Sequence, residues 1–231
     1  MTAIAAQGQV SYNFYRFAFG VGASYERAYT NVKKEYNHFS FNGSLIYNYS
    51  PFIPIALEVQ KGTLSGGGLT PALDRFGRQY TNRYFAIYLH GDFELGEVID
   101  YSDSWIMNKL KDVFFGGGFG VVSNNNSLQR YNIYPWNGPL TYRFPGKDKS
   151  INLSIPMRFG YEIRFYDRYN EPSVSVDIGY IHNLVFGEGL DGYNDPPSVF
   201  KNNATSQYRQ IFLGVRYSFG NSEAFVKPIR Y

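Results

Sequence analysis

The chain predicts an all-β fold, an eight-stranded antiparallel up-and-down transmembrane β-barrel with long extracellular loops and short periplasmic turns. Three observations carry that expectation. Hydrophobicity alternates with a period of two over most of the sequence, the pattern of a strand with two unlike faces. Aromatic residues make up 19 % of the chain, 22 Tyr and 20 Phe, and 24 Gly accompany them; that mixture suits pleated surfaces, close approaches and turns. No run of 18 apolar residues occurs, so a membrane helix is excluded. A barrel strand needs only alternate residues turned to lipid.

The strands can be taken in order. The first covers Tyr15 to Arg27, with Tyr15, Phe17, Phe19, Val21, Ala23 and Tyr25 on one face. The second, His38 to Tyr49, alternates Phe39, Phe41, Leu45 and Tyr47 with Ser40, Asn42, Ser44 and Asn48. The third spans Ile55 to Leu64, the fourth Tyr84 to Leu95 and the fifth Val113 to Ser123. The sixth, Ile151 to Phe165, is the clearest, because Ile151, Leu153, Ile155, Met157, Phe159, Tyr161, Ile163 and Phe165 share one face. Ser173 to Leu184 and Gln207 to Phe219 complete the eight. Pro156 donates no ladder bond and a closed barrel has no edge to hide it, so a bulge is expected there.

Connections two and six are short and carry Pro, Asn and Asp, the residues of tight turns. Connections one, three, five and seven read as longer and polar. Short turns on the periplasmic side and long loops outside are the pattern of bacterial transmembrane barrels, and an even strand number puts both termini in the periplasm. Connection four departs from it: Asp100 to Asp112 predicts a short helix capped by Asp103 or Ser104, with Trp105 at the lipid interface. Residues 1–8 read as an N-terminal extension or the remnant of an export signal. Residues 9–220 form the barrel, and residues 221–231 a periplasmic tail.

Which face is inside separates a membrane barrel from a soluble lipocalin-like cup, and the aromatic bulk of the apolar row, the loop asymmetry and the placement of glycine favour a polar interior. Gly20, Gly22, Gly116, Gly118, Gly120, Gly160, Gly179 and Gly214 all lie in the polar row. Glycine weakens a solvated strand face, but in a narrow lumen it leaves room for long neighbours. The lumen then receives Glu58, His90, Asp92, Arg158, Glu162, Asp177 and Arg216, with Arg16, Glu26, Glu94 and Arg164 nearer the ends. Unpaired, such charges would cost several kcal/mol each, so a salt-bridged interior is expected.

The stretches Phe17-Ala-Phe-Gly-Val-Gly-Ala-Ser-Tyr25, Glu58-Val-Gln-Lys-Gly-Thr-Leu-Ser-Gly-Gly67, Gly77-Arg-Gln-Tyr-Thr-Asn-Arg-Tyr84 and Phe212-Leu-Gly-Val-Arg-Tyr-Ser-Phe219 resemble the small outer-membrane barrels of the OmpA and OmpX type, particularly uncharacterised ones of the Bacteroidota. The resemblance covers essentially the whole chain. It implies a fold and the outer membrane, with roles from membrane integrity to partnership in larger complexes. The peptidoglycan-binding domain that often follows an OmpA-type barrel has no counterpart in this sequence.

No catalytic signature emerges, and no cofactor is expected. Three histidines, His38, His90 and His182, are too dispersed for a metal site. His38, with Ser40 near it, and His182 fall toward the outer rim, where a lipid-modifying enzyme would keep its base; rim histidines at the membrane interface are the simpler reading. His90 is expected to pair with Asp92. The loop Gly187 to Asp195 has oxygen ligands without EF-hand spacing. The glycine runs match no phosphate loop, and there is no cysteine for thiol chemistry.

A net charge of +3 does not suggest nucleic acid. Loop cations Lys33, Lys34, Arg75, Arg78, Arg83, Arg130, Arg143, Lys147, Lys149 and Lys201 suit the phosphates of lipopolysaccharide. The sequence therefore reads as a non-enzymatic outer-membrane barrel, a structural or interaction subunit contacting lipid, lipopolysaccharide and a protein partner. Phe225, Val226, Pro228, Ile229 and Tyr231 of the tail are the expected docking residues. The alternatives are a narrow ion or small-solute channel and, behind it, a lipid-modifying enzyme.

Overall fold

The computed structural model of the chain describes residues 11–101, 104–194, 196 and 205–226. Strands β1 (Ser11–Tyr29), β2 (Glu35–Ser50), β3 (Ile53–Gly67), β4 (Gln79–Glu94), β5 (Val113–Leu128), β6 (Lys149–Tyr166), β7 (Pro172–Val185) and β8 (Gln207–Val226) follow one another, with helix α1 (Trp105–Leu110) between β4 and β5. Each strand pairs antiparallel with the next, and β1 pairs with β8 to close the ring.

The strands form because their two faces meet opposite media. Along β3, burial alternates without a break from Pro54 to Leu64. Large apolar side chains are exposed on every strand, with Phe41 68 % and Phe159 59 % open. Their inward neighbours Glu58, Asp92, Arg158, Glu162 and Asp177 are buried. A polar interior wrapped in an apolar belt is the inverse of a water-soluble protein, and the barrel spans a bilayer. The belt runs on β1 from Phe17 to Tyr25 and on β2 from Tyr47 to Phe39, which are paired across the ladder.

Several boundaries differ from the expectation. The strands are longer, 14 residues in β7 and 20 in β8, whose added residues lie past Phe219 at the terminal end and pair with β1. The first loop-side connection shrinks to residues 30–34. No bulge forms at Pro156: the β5–β6 register is unchanged from Gly117↔Met157 to Gly120↔Ser154. A bulge would move Arg158 and Glu162 to the lipid face, whereas leaving out a ladder bond opposite glycine keeps every side chain on its side. Irregularities sit instead at Tyr15/Phe17, Tyr36/Ser40, Asn48/Ser50 and Phe165/Tyr166.

The expected helix in connection four is α1. The Ser104 side chain accepts from the Met107 backbone N–H at its start, and no residue of the helix is buried. The tail differs more. Residues 221–226 belong to β8 and pair with β1 from Ser11↔Val226 to Tyr15↔Ser222.

Candidate functional site

The lumen is filled in layers, beginning at the end where the termini lie. Phe52 is fully buried as a floor, with Tyr101 at 5.8 Å and Phe225 at 6.1 Å between ring centroids. The Arg164 guanidinium rests 5.1 Å above the Phe52 ring. Arg164 also binds Glu94, Asp112 at 2.6 Å and Glu162 at 3.0 Å. Arg216 takes the other Glu162 oxygen and reaches Asp177 at 2.5 Å.

One layer further in, Arg158 Nε donates to Asp92 at 2.9 Å, while its guanidinium lies 3.9 Å from Glu58 and 5.0 Å over the Phe212 ring. His90 stands between two carboxylates, 3.6 Å from Glu58 and 3.9 Å from Asp92. Asn42 donates to Glu58 at 2.8 Å. Arg158, Arg164 and Arg216 thus share contacts with six carboxyl groups, those of Glu58, Asp92, Glu94, Asp112, Glu162 and Asp177.

Above the charges lies a tyrosine layer. Tyr84 donates to Glu26 at 2.5 Å, and Gln210 donates to the same carboxylate at 3.0 Å. The Tyr88 and Tyr208 hydroxyls are 2.6 Å apart. The outer loops then close the mouth. Tyr80 donates to Glu35 at 2.7 Å, and Asp191 accepts from the backbone of Tyr193 at 3.1 Å and of Asn31 at 3.4 Å. Arg78 is buried against Asp74, 3.3 Å away, and lies 5.7 Å from the Tyr193 ring centroid. Leu190, Tyr193 and Phe144 seal the opening at 1 % exposure or less.

Burial governs the carboxyls of this cap, which stand outside the lipid belt. Desolvation pushes the Glu35 carboxyl up to about 7 against the opposing bonds from Thr30 and Tyr80. It pushes Asp191 up to about 6 against the backbone bonds of Tyr193 and Asn31.

Among the described residues, the lumen holds at least two small voids. One void of about 20 Å³ lies beside Arg164 and Arg216, and one of about 40 Å³ beside His90 and Arg158. Such spaces hold a water or a few, not a solute path. Glycine keeps the packing possible: a Cβ on Gly160 would stand 2.5 Å from the Ile178 carbonyl oxygen and 2.6 Å from Phe114.

All seven lumen residues read from the sequence point inward and meet as two linked clusters. The tail residues divide differently. Phe225 packs on Phe52 of its own barrel, Val226 is half exposed, and Pro228, Ile229 and Tyr231 lie outside the described residues.

His38 is 2.6 Å from Ser65, not Ser40, whose hydroxyl accepts from Gln210 inside. His182 meets Gln207 at 2.9 Å and Tyr180 at 3.1 Å. Among the described residues no carboxylate bonds to His38 or His182. Two loop cations expected to face lipopolysaccharide brace the cap instead, Arg78 on Asp74 and Arg130 on Asp148 at 2.5 Å. Lys201 lies outside the described residues.

The tyrosine layer and the loop seal were missed in the sequence. Tyr84 and Tyr88 share the parity of His90 and Asp92, a usable signal; Leu190 and Tyr193 sit in a loop, where no period applies.

No family model matches the chain, and no curated protein matches it. Among solved structures it is similar to Neisserial surface protein A, with 15 % identity, a TM-score of 0.48, and 88 % of this chain covering 97 % of that one. Ail, the attachment invasion locus protein of Yersinia pestis, gives 13 % identity and 0.46 over 88 % and 97 % of the two chains. The outer membrane protein OprG from Pseudomonas aeruginosa gives 12 % and 0.34 over 90 % and 98 %.

Proposed function

We propose that this chain is a non-enzymatic, non-conducting barrel of a bacterial outer membrane, with both termini in the periplasm, and that it serves as a structural or interaction subunit. The filled lumen carries this reading. Three arginines lock the six carboxylates in cross-strand contacts, Phe52 closes one end and the tyrosine layer with the loop cap closes the other. A barrel plugged along its length transports nothing through its axis, so its work lies on its surfaces. Lipid contacts the belt, lipopolysaccharide phosphates meet the loop cations that remain exposed, and a protein partner engages the rims.

Two measurements test it together. In planar bilayers the purified barrel is expected to show no discrete conductance; unitary steps altered by Arg158→Gln or Glu162→Gln would establish the channel instead. Gentle-detergent purification from native membranes is expected to bring a stoichiometric companion chain, and a lone monomer would sink the subunit reading.

A further inference from the structure

We propose that Arg27 and Arg209, side by side at the loop end of the β1–β8 seam, form a binding site for the phosphate of an anionic membrane lipid. The inference deepens the lipid contact of the proposed reading and rests on its orientation, which makes this leaflet the outer one.

The ladder sets the pair. Arg27 and Arg209 are directly opposite in the β1–β8 register, two residues beyond the Tyr25↔Ile211 rung. Tyr25 and Ile211 are exposed members of the apolar belt. Strand parity therefore puts both arginines on the lipid side of the wall, at the upper limit of that belt. Both guanidiniums lie against one ring, that of Tyr29, 5.9 Å and 5.3 Å from its centroid. Among the described residues neither has a carboxylate or hydrogen-bond partner, and the Arg27 Nε is buried without one. Like charges facing each other across a ladder weaken it, and a shared aromatic face offsets only part of that. A phosphate between the two forks removes the repulsion and accepts from both, the recognition for which arginine is suited.

The surroundings fit an amphiphile. His182 stands opposite Arg209 on the β7 side. Its Nε2 is 2.9 Å from Gln207 and its Nδ1 3.1 Å from the Tyr180 hydroxyl. Tyr180 in turn lines an open apolar hollow of about 340 Å³ on the lipid face, with Phe159, Tyr161 and Ile178 around the Gly160↔Gly179 rung. The cationic row and the hollow are thus joined through Tyr180, polar toward the loops and apolar toward the bilayer centre, the order of groups along a lipid. The wall of a second copy supplies no such anion, because among the described residues its apolar belt carries no outward carboxylate.

The test places the full barrel in nanodiscs of phosphatidylcholine with a minor fraction of phosphatidic acid. Native mass spectrometry of the released barrel then reads which lipids stay bound, on compact charge states so that only folded protein is counted. The unsubstituted barrel is expected to retain phosphatidic acid, enriched about tenfold or more over its share of the nanodisc. Arg27→Gln with Arg209→Gln is expected to abolish the enrichment. Lys61→Gln with Arg83→Gln, which removes two exposed cations from β3 and β4, is expected to keep it. Soluble glycerol phosphate in excess is expected to leave the lipid in place.

No enrichment on the unsubstituted barrel, persistence in the Arg27 and Arg209 variant, or equal loss in the Lys61 and Arg83 variant would each overturn the proposal. Displacement by glycerol phosphate would make the pair a site for free phosphate and overturn the lipid. The subunit reading fails separately. A barrel that purifies alone yet keeps phosphatidic acid removes the subunit and leaves the site. A companion chain on a barrel without lipid preference does the reverse.

Discussion

At the scale of single residues, the lumen depends on a few arginines that each serve several carboxylates. Arg216 is the clearest, because Glu162 and Asp177 both lean on its guanidinium. Replacing it with Met keeps much of the volume but leaves two buried carboxylates short of their cation. Breaking a buried pair from one side costs about 3–5 kcal/mol, so Arg216→Met is expected to lower the urea midpoint of the bilayer-inserted barrel by that equivalent. A loss below about 1 kcal/mol would show the lumen to be hydrated enough to dispense with the pair.

Protonation of the cap carboxyls couples closure of the cap to pH. Glu35 is pushed up from 4.5 to about 7 and Asp191 from 3.8 to about 6 while the cap is closed. In an open cap both would ionise at ordinary values, so the closed form is favoured at low pH and loses stability as pH rises from about 4 to 7. The buried Leu190→Cys should therefore label faster at pH 8 than at pH 5, relative to the exposed Leu140→Cys measured alike. Glu35→Gln with Asp191→Asn should flatten the ratio; a ratio flat in the unsubstituted cap rejects the coupling.

At the scale of elements, α1 is short, solvent-open and apolar on several sides: Trp105 is 76 % exposed and Ile106 59 %. Six residues do not make a stable helix in water, and the Ser104 cap adds only about 1 kcal/mol. Burial in the headgroup region would supply what is missing, since Trp favours that layer. The chain has two tryptophans, so Trp136→Phe isolates Trp105. Its emission is expected to be blue-shifted and quenched by brominated lipid, whereas Trp136 in a Trp105→Phe variant emits as in water. Unquenched Trp105 emission would leave that face for something other than lipid.

Elements were also what the sequence made most legible. Period-two alternation reveals Ile151–Phe165 without help, because lipid and lumen impose opposite demands on successive residues. The inward set followed from the same parity, His90 and Asp92 on β4 and Arg158 and Glu162 on β6. What parity cannot read is where a rung stops, since strand ends depend on the side chains that cover them; hence the hidden extension of β8 to Val226. Nor can it read Pro156, where the unbroken register that keeps Arg158 and Glu162 inward wins over a bulge.

At the scale of the whole molecule, the barrel is closed at its two ends by seals that share no residue, with the Arg158 layer and the tyrosine layer filling the space between them. The inner seal is the salt-bridged layer over Phe52, held by Arg164 and Arg216. The outer one is the loop cap, where Leu190, Asp191 and Tyr193 enter the mouth above the tyrosines. Barriers in series conduct only when all of them open, because the largest resistance governs the path. Replacing residues 187–194 with a Gly-Ser linker should therefore leave bilayers silent, although Tyr80 and Glu35 become accessible. Arg164→Ser with Arg216→Ser behind an intact cap should also be silent, and less stable. Combining the two sets is also expected to be silent, since the Arg158 layer and Tyr84, Tyr88 and Tyr208 still fill the path between them. Conductance from the linker variant alone would mean that the salt-bridged layer is a permeable filter and not a plug, and the barrel would have to be read as a gated pore.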